Sequence, residues 1–157
     1  MSEPGDQRDL EIRPCTPSDL PGLTAAEPPG ADIAVRLFAR QQRGESVYLL
    51  AVASGVVVGH GELMLGANPE LRHLQVDPES RGQGVGTSIV RAAERHLGTG
   101  RLSIGVGLDN SRARRLYERL GYVGTGEIST TTYTYVDHEG PHVATESDER
   151  LVKSLPG

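Results

Sequence analysis

Alternating apolar and polar positions predict the strands of this chain. The segment LEIRPC (residues 10–15) alternates in this way and predicts a first strand. The segment SVYLLAVASGVVVGHGELML (46–65) predicts two strands joined by a tight turn at Ser54 and Gly55, because short glycine-containing turns are typical of hairpins. LRHLQVDP (71–78) predicts a strand that ends at Pro78. Three later segments predict further strands: RLSIGV (101–106), ISTTTYTYV (128–136) and ERLVKSL (149–155).

Apolar positions spaced by three or four residues predict the helices. TPSDLPGL (16–23) predicts a short helix, and ADIAVRLFARQQRG (31–44) predicts a longer one that ends near Gly44. A third helix is predicted from about Gly84 to Leu97, because Val85, Ile89, Ala93 and Leu97 form one apolar stripe. DNSRARRLYERLGY (109–122) predicts a fourth, which a residue at 109–111 caps and Gly121 ends.

The order of these elements predicts the fold class. Strand, helices, three strands, helix, strand, helix and two strands indicate an α+β fold. We expect a mostly antiparallel mixed sheet of about six or seven strands, flanked by about four helices, with a parallel segment near residues 79–88.

Composition narrows the class of protein. The 157 residues suit a single domain, which we place at residues 9–157 behind a flexible polar tail at residues 1–8. A net charge of −5 without a basic stripe argues against a nucleic-acid partner. Cys15 is the only cysteine, and no histidine pair has metal-ligand spacing, so no metal is expected. The sequence contains neither a signal-like apolar core nor an apolar run of membrane length, which predicts a cytoplasmic protein without a membrane partner.

The segment ESRGQGVGTS (79–88) carries the strongest chemical signal. Glycines allow a backbone to approach a ligand closely, and the N-terminus of the following helix offers free N–H groups to an anion. Arg81 adds a guanidinium suited to phosphate. A P-loop would need a lysine after the second glycine, and a dinucleotide fingerprint would need a different glycine spacing. A pyrophosphate cradle and a merely flexible loop both remain open from these residues alone.

Two motifs together resemble a known family. LQVDPESRGQGVGTSIV (74–90) resembles motif A of the GNAT N-acetyltransferase superfamily, in which a strand and an R-x-x-G-x-G loop precede a helix. DNSRARRLYERLGY resembles its motif B, N-x-x-A-x-x-L-Y-x-x-L-G-[FY], matched at Asn110, Ala113, Leu116, Tyr117, Leu120, Gly121 and Tyr122. The resemblance is strong over residues 71–123 and implies the GNAT fold.

The resemblance implies acetyl-CoA as the co-substrate and assigns its contacts. Neighbouring parallel strands of the family splay apart to admit the cofactor. Here Leu74, Gln75 and Val76 are expected to pair with the pantetheine arm, and an N–H near Val76 to polarise the thioester carbonyl. Asn110 either contacts this arm or simply caps its helix. The pyrophosphate is expected on the loop and helix start, at Arg81, Gly82, Gln83, Gly84, Val85, Gly86 and Thr87.

The resemblance also implies catalytic residues. Tyr117 is expected to be the general acid that protonates the leaving thiolate, although its position also suits a core aromatic residue. Glu70 is our candidate general base, and His73 and Glu62 are the alternatives. Glu70 is also consistent with a solvated carboxylate that has no catalytic role. In a regular strand Glu70, Arg72, Leu74 and Val76 share one face, so Glu70 and His73 should point in opposite directions.

Other polar and aromatic residues receive weaker assignments. His60 and His96 are interpreted as surface or helix-face residues. Tyr133 and Tyr135 share one face of their strand and either approach the acceptor, pack ordinarily or form a dimer edge.

The function that the resemblance implies is direct transfer of an acetyl group to a primary amine. The acceptor is a small molecule or a protein that the sequence does not identify, and a homodimer is left open. The alternative on the same fold is a non-catalytic CoA-binding or regulatory module. A nucleotide-binding protein is a third hypothesis, against which the missing lysine and glycine spacing argue.

Overall fold

Seven strands form one mixed sheet in the computed structural model, which describes residues 9–156. The predicted tail at residues 1–8 therefore lies outside the described residues. The strand order is β1-β2-β3-β4-β5-β7-β6, and the only parallel neighbours in this described sheet are β4 and β5. The strands are β1 (Leu10–Pro14), β2 (Ser46–Ala53), β3 (Val56–Met64), β4 (Glu70–Val76), β5 (Gly100–Gly107), β6 (Val123–Asp137) and β7 (Gly140–Leu155).

Four α-helices accompany the sheet among the described residues, and their order confirms the α+β prediction. They are α1 (Leu20–Ala25), which follows a 3-10 turn at Pro17–Asp19, α2 (Ile33–Gln42), α3 (Val85–Leu97) and α4 (Ser111–Arg119). None of the helices between residues 9 and 156 is long and apolar enough to cross a membrane.

Two apolar clusters pack on opposite faces of β2. Odd-numbered side chains of β2, such as Leu49, join Ile89 of α3 in the larger cluster. Even-numbered side chains, such as Leu50, join Leu37 of α2 in the smaller one. The alternation along β2 therefore buries both faces of the sheet, with α1 and α2 on one side and α3 and α4 on the other.

Glycines on β3 let α3 lie close to the sheet. A Cβ atom built on Gly61 would lie 3.1 Å from Cγ2 of Ile89, and one built on Gly59 would lie 2.9 Å from the carbonyl oxygen of Gln75. A side chain at Gly59 would therefore clash with the backbone, and one at Gly61 would have to displace Ile89 slightly.

The parallel strands β4 and β5 separate after two residue pairs. Glu70 pairs with Ser103 and Leu71 pairs with Ile104, and no further pair follows between these two described strands. This confirms the predicted splay. It leaves one edge of β4 beyond Leu71 without a partner strand among the described residues.

A bulge at His73 corrects the predicted faces of β4. His73 has a left-handed backbone with a φ of 56°, and the register with β3 shifts at the same point. Leu74 therefore packs on the same core as Leu71, while His73 lies beside Glu62 on the other face. The prediction that Glu70 and His73 point in opposite directions, with Leu74 on the face of Glu70, was wrong because it assumed unbroken alternation.

The last two strands are longer than the sequence pattern predicts. β5 pairs with β7 only from Leu155 to Asp148, so residues 140–147 of β7 pair with β6 alone. Gly126, at a φ of 79°, lies where the register between β6 and β7 shifts. The outer half of this hairpin therefore forms an arm that projects past β5.

Candidate functional site

A groove of about 1950 Å³ opens where β4 and β5 separate. One wall is β4, another is formed by Ile104–Gly107 of β5 with α4, and the β6–β7 arm forms a third. Residues near α1 and the start of α2 close the remaining side. The predicted site residues that line the groove are Glu70, Leu74, Gln75, Val76, Arg81, Asn110 and Tyr117, together with His73, Tyr133 and Tyr135.

The glycine loop leads into the N-terminus of α3 with its backbone N–H groups available. Gly82 and Gly84 adopt φ values of 78° and 82°, which residues with a Cβ rarely adopt. The first i→i−4 hydrogen bond runs from the N–H of Ser88 to the carbonyl of Gly84, at 3.0 Å. The N–H groups of residues 85–87 therefore precede the helical ladder, and such groups suit an anion.

Side chains of the loop hold it against the end of β4. Arg81 Nε donates to the carbonyl of Val76 at 3.1 Å, and Gln83 Nε2 donates to the carbonyl of Glu79 at 3.4 Å. The side chain of Val85 is buried in the core, so only its backbone faces a ligand. A Cβ atom built on Gly86 would lie 3.4 Å from Cδ2 of Leu116 on α4, which is an ordinary van der Waals contact.

The glycine loop and the groove have one residue in common, Arg81. Arg81 belongs to the groove lining, whereas Gly82, Gln83, Gly84, Val85, Gly86 and Thr87 do not. The structure thus separates the predicted cofactor residues into two sets, a helix N-terminus and the strand-lined groove.

Tyr117 lies on the inner side of α4 and is a core residue, as one of its two interpretations predicts; its role as the acid stays a prediction. Its side chain belongs to the core, with the ring 6.4 Å from that of Tyr122 in an edge-on arrangement. It also lines the groove, and within residues 9–156 no hydrogen-bond partner of its hydroxyl is found. Burial raises the pKa of Tyr117 to about 12, so the phenol keeps its proton at neutral pH.

Glu62 is fixed by an ion pair and does not reach the groove. Its side chain is 0% exposed and accepts two hydrogen bonds from Arg40 of α2, at 2.7 and 2.9 Å. Burial alone would raise the pKa of Glu62, but Arg40, with smaller contributions from Ser46 and His73, outweighs it and the pKa is lowered. Glu62 therefore stays ionised and acts on its neighbours through its charge.

Glu70 and His73 both face the groove, with different partners. Glu70 accepts a hydrogen bond from Arg72 Nε at 3.0 Å. Nε2 of His73 lies 3.7 Å from Oε1 of Glu62. Burial lowers the pKa of His73, and the positive charges of Arg40 and Arg72 lower it further, while Glu62 opposes them.

His60 was wrongly interpreted as a surface residue. It lies half-buried on β3, lines the groove and meets the ring of Tyr48 edge-on at 6.1 Å. Burial lowers its pKa. The glycines that flank His60 hid its position, because they interrupt the alternation that would mark it as inward-facing. The prediction for His96 is confirmed, since it is exposed on α3.

Asn110 caps α4, as one of its two interpretations predicts. Its Oδ1 accepts from the N–H of Ala113 at 3.1 Å. It also lines the groove, so contact with a cofactor arm stays a prediction.

The β6–β7 arm brings two carboxylates that the sequence analysis did not single out, Glu146 and Asp148, beside the tyrosines that it did. Tyr133 donates to Glu146 at 2.6 Å, and its ring lies 6.0 Å from that of Tyr135. Burial raises the pKa of Asp148, and the nearby carboxylates Glu146, Glu70 and Asp109 raise it further. No local motif marks Asp148, because its position in the groove depends on the pairing of β7 with β5.

One group of side chains away from the predicted site has metal-ligand types. Asp137, Glu139 and His142, at the β6–β7 turn, bring ligand atoms within 4.8 Å of one another. His142 is already hydrogen-bonded to Asp137 at 2.8 Å. The expectation of no metal stays a prediction.

The sequence matches a family model over most of its length. The model of the acetyltransferase (GNAT) family matches residues 12–122. The chain therefore belongs to the GNAT acetyltransferase family, as the two motifs predict. No curated protein matches the chain significantly.

Solved structures share the whole fold at low sequence identity. The ribosomal-protein-S18-alanine N-acetyltransferase from Escherichia coli has a TM-score of 0.68 and 20% identity, covering 94% of this chain and 96% of its own. PaiA N-acetyltransferase from Thermoplasma acidophilum, in complex with coenzyme A, has a TM-score of 0.69 and 19% identity, covering 93% and 99%. A phosphinothricin acetyltransferase from Sinorhizobium meliloti, in complex with acetyl-CoA, has a TM-score of 0.67 and 20% identity, covering 94% and 89%. These likenesses establish the GNAT fold.

Proposed function

We propose that this protein is an acetyl-CoA-dependent N-acetyltransferase, which transfers an acetyl group directly to a primary amine. One observation carries the proposal. The groove between the separated strands β4 and β5 connects the glycine loop at Arg81 with the phenol of Tyr117. A cofactor held by its pyrophosphate at the loop could thus present its reactive end between a proton donor and the polar side chains of β4.

The residues present fit acetyl-CoA, which would supply the acetyl group. The N–H groups of residues 85–87 and the left-handed glycines suit the pyrophosphate. The edge of β4 at Leu74, Gln75 and Val76, which β5 does not cover, can pair with an extended amide-containing arm. Arg81 sits between these two regions and can reach a phosphate if its bond to Val76 opens.

Proton transfer needs one donor and one acceptor in the groove. Tyr117 is our proposed donor to the departing sulfur, because it lines the groove and its phenol keeps its proton at neutral pH. A primary ammonium must lose a proton before it can attack. Glu70 and His73 are the two candidates that the described groove offers on β4.

The acceptor is proposed only as a class. The Escherichia coli neighbour is an alanine N-acetyltransferase of ribosomal protein S18 by name, but 20% identity does not carry its substrate over. The proposed class therefore covers a primary amine on a small molecule or on a protein. We retain the prediction that neither nucleic acid nor membrane is a partner.

Thermal unfolding with acetyl-CoA, and with ATP and NAD as controls, tests the cofactor assignment. A ligand at about 100 times its Kd stabilises a folded protein by about 2.7 kcal/mol. We expect a shift with acetyl-CoA alone. A larger shift with ATP or NAD would refute the cofactor assignment.

Amine-dependent release of the CoA thiol then tests catalysis. We expect release from acetyl-CoA in the presence of at least one primary amine and little without it. Stabilisation by acetyl-CoA without turnover of any amine would instead indicate the non-catalytic CoA-binding module.

A further inference from the structure

We infer that His73 takes the proton from the acceptor ammonium, and that the Arg40–Glu62 ion pair positions it for this step. The inference rests on the proposed N-acetyl transfer. It chooses between the two β4 side chains that face the groove and adds a positioning role for residues outside it.

The backbone of β4 is bent in a way that brings His73 into the groove. Leu71 packs into the core beneath α3, so unbroken alternation would turn residue 73 toward the core as well. The left-handed φ of 56° at His73 breaks that alternation. The side chain of His73 is consequently 49% exposed and lines the groove. The side chain of Leu74 packs in the core instead.

The charges around His73 favour its neutral form and orient it. Glu62 faces it from β3, Arg36 and Arg40 act on it from α2, and Arg72 acts on it from β4. His60 also interacts with it from β3. Partial desolvation in the groove and the three arginines together outweigh Glu62 and lower the pKa of His73, so the imidazole is mostly neutral at neutral pH.

The Arg40–Glu62 pair keeps a negative charge beside one nitrogen of this imidazole. Glu62 is wholly buried and accepts two hydrogen bonds from Arg40, which hold its carboxylate in place. Its Oε1 lies 3.7 Å from Nε2 of His73, which is longer than a hydrogen bond, but its negative charge favours the tautomer with its proton on Nε2. The lone pair is then on Nδ1, where a proton can be accepted.

The proton step conserves atoms and charge. An N–H bond of the acceptor ammonium breaks, its proton moves to Nδ1 of His73, and the electron pair stays on the amine for its attack on the acetyl carbonyl. The resulting imidazolium has Nε2–H directed at Glu62, whose negative charge stabilises it. Glu70 is less suited, because its carboxylate already accepts from Arg72 and an imidazole is closer in basicity to an alkylamine.

The variant His73→Asn removes the base with little cost to the fold, because asparagine tolerates left-handed backbone. The matched control is His96→Asn, which changes an exposed histidine on α3. The probes are n-butylamine, L-lysinamide, L-alaninamide and spermidine, with thiol release measured from about pH 6 to about pH 10. An unchanged thermal shift with acetyl-CoA shows that each variant is folded and binds the co-substrate.

We expect His73→Asn to lose about 10²-fold or more of kcat near neutral pH, as removal of a general base does. The rate should recover as the pH approaches the pKa of the amine, because the acceptor then arrives already deprotonated. The control should follow the wild-type profile. A loss of equal size at every pH, or no loss, would overturn the role of His73 while leaving the proposed function intact.

A second variant, Glu62→Gln, tests positioning. Glu62 raises the pKa of His73, so its loss should move the acidic limb of the kcat profile to lower pH. The control Glu11→Gln, which changes an exposed carboxylate on β1, should leave that limb in place. An unmoved limb would overturn the positioning role.

A pH-dependent loss in Glu70→Gln but not in His73→Asn would make Glu70 the base. A wild-type protein that binds acetyl-CoA but acetylates none of the four probes would remove the proposed function, and this inference with it.

Discussion

Replacing Gly84 with valine tests whether the glycine loop binds the co-substrate. Gly84 precedes α3 with a φ of 82°, where a residue with a Cβ costs roughly 1–2 kcal/mol. If the loop relaxes to avoid this strain, the N–H groups that follow it change direction and the anion loses its contacts. Gly98 ends the same helix with a φ of 77°, and a Cβ added there would meet no atom within 4 Å, so Gly98→Val also imposes backbone strain but away from the loop.

Thermal unfolding separates strain from binding. Without ligand, both variants should melt at lower temperature, by roughly 2–4 °C for each 1 kcal/mol in a chain of this size. With acetyl-CoA at about 100 times the wild-type Kd, wild type and Gly98→Val should both gain about 2.7 kcal/mol. Gly84→Val should gain little. If Gly84→Val keeps the full ligand shift, the loop is not the anion site and the cofactor contacts assigned to it must be withdrawn.

Three further predictions address the acid, a helix cap and an acid-sensitive ion pair. Tyr117→Phe should lower kcat by about 10²-fold or more while leaving the acetyl-CoA thermal shift unchanged, and undiminished turnover would exclude the phenol as the acid. Asn110→Ala should cost about 1 kcal/mol in denaturant unfolding, because α4 loses its side-chain cap, whereas Asn110→Asp should cost much less. Hydrogen bonds from Arg13 hold the pKa of Asp19 well below its usual range, so this pair stabilises the fold above about pH 4 and the stabilisation is lost as the pH falls through the lowered pKa. Asp19→Asn should therefore be less stable than wild type at neutral pH, with a difference that shrinks in acid; a constant difference would contradict the linkage.

Sequence could predict the elements whose signals are local. The apolar repeat of α3 predicts its buried face at Val85, Ile89 and Ala93, because a helix buries residues at fixed spacing. The turn at Ser54 and Gly55 was also predicted, and both residues adopt the positive φ values that such turns need. These features depend on neighbouring residues alone, so one chain without relatives is enough to reveal them.

Sequence could not predict the features that depend on partner strands. The extent of β6 and β7 follows from their pairing with each other, and the polar TESD stretch (145–148) has no strong strand pattern of its own. The burial of Glu62 likewise depends on Arg40, which lies 22 positions away in the chain and reaches it only after α2 packs on the sheet. Such pairs carry no local signature.

The bulge at His73 serves both the packing of β4 and the proposed proton transfer. Pairing between β4 and β5 ends at Leu71, and two residues later the backbone takes its left-handed turn. That turn returns Leu74 and Val76 to the core, so the strand stays anchored to α3 although it has lost its neighbour β5. The same turn places His73 opposite the buried carboxylate of Glu62. A strand that must carry a cofactor on one edge and a proton acceptor on one face therefore needs an irregular residue at this point, and histidine is among the few residues that tolerate the conformation and can accept the proton.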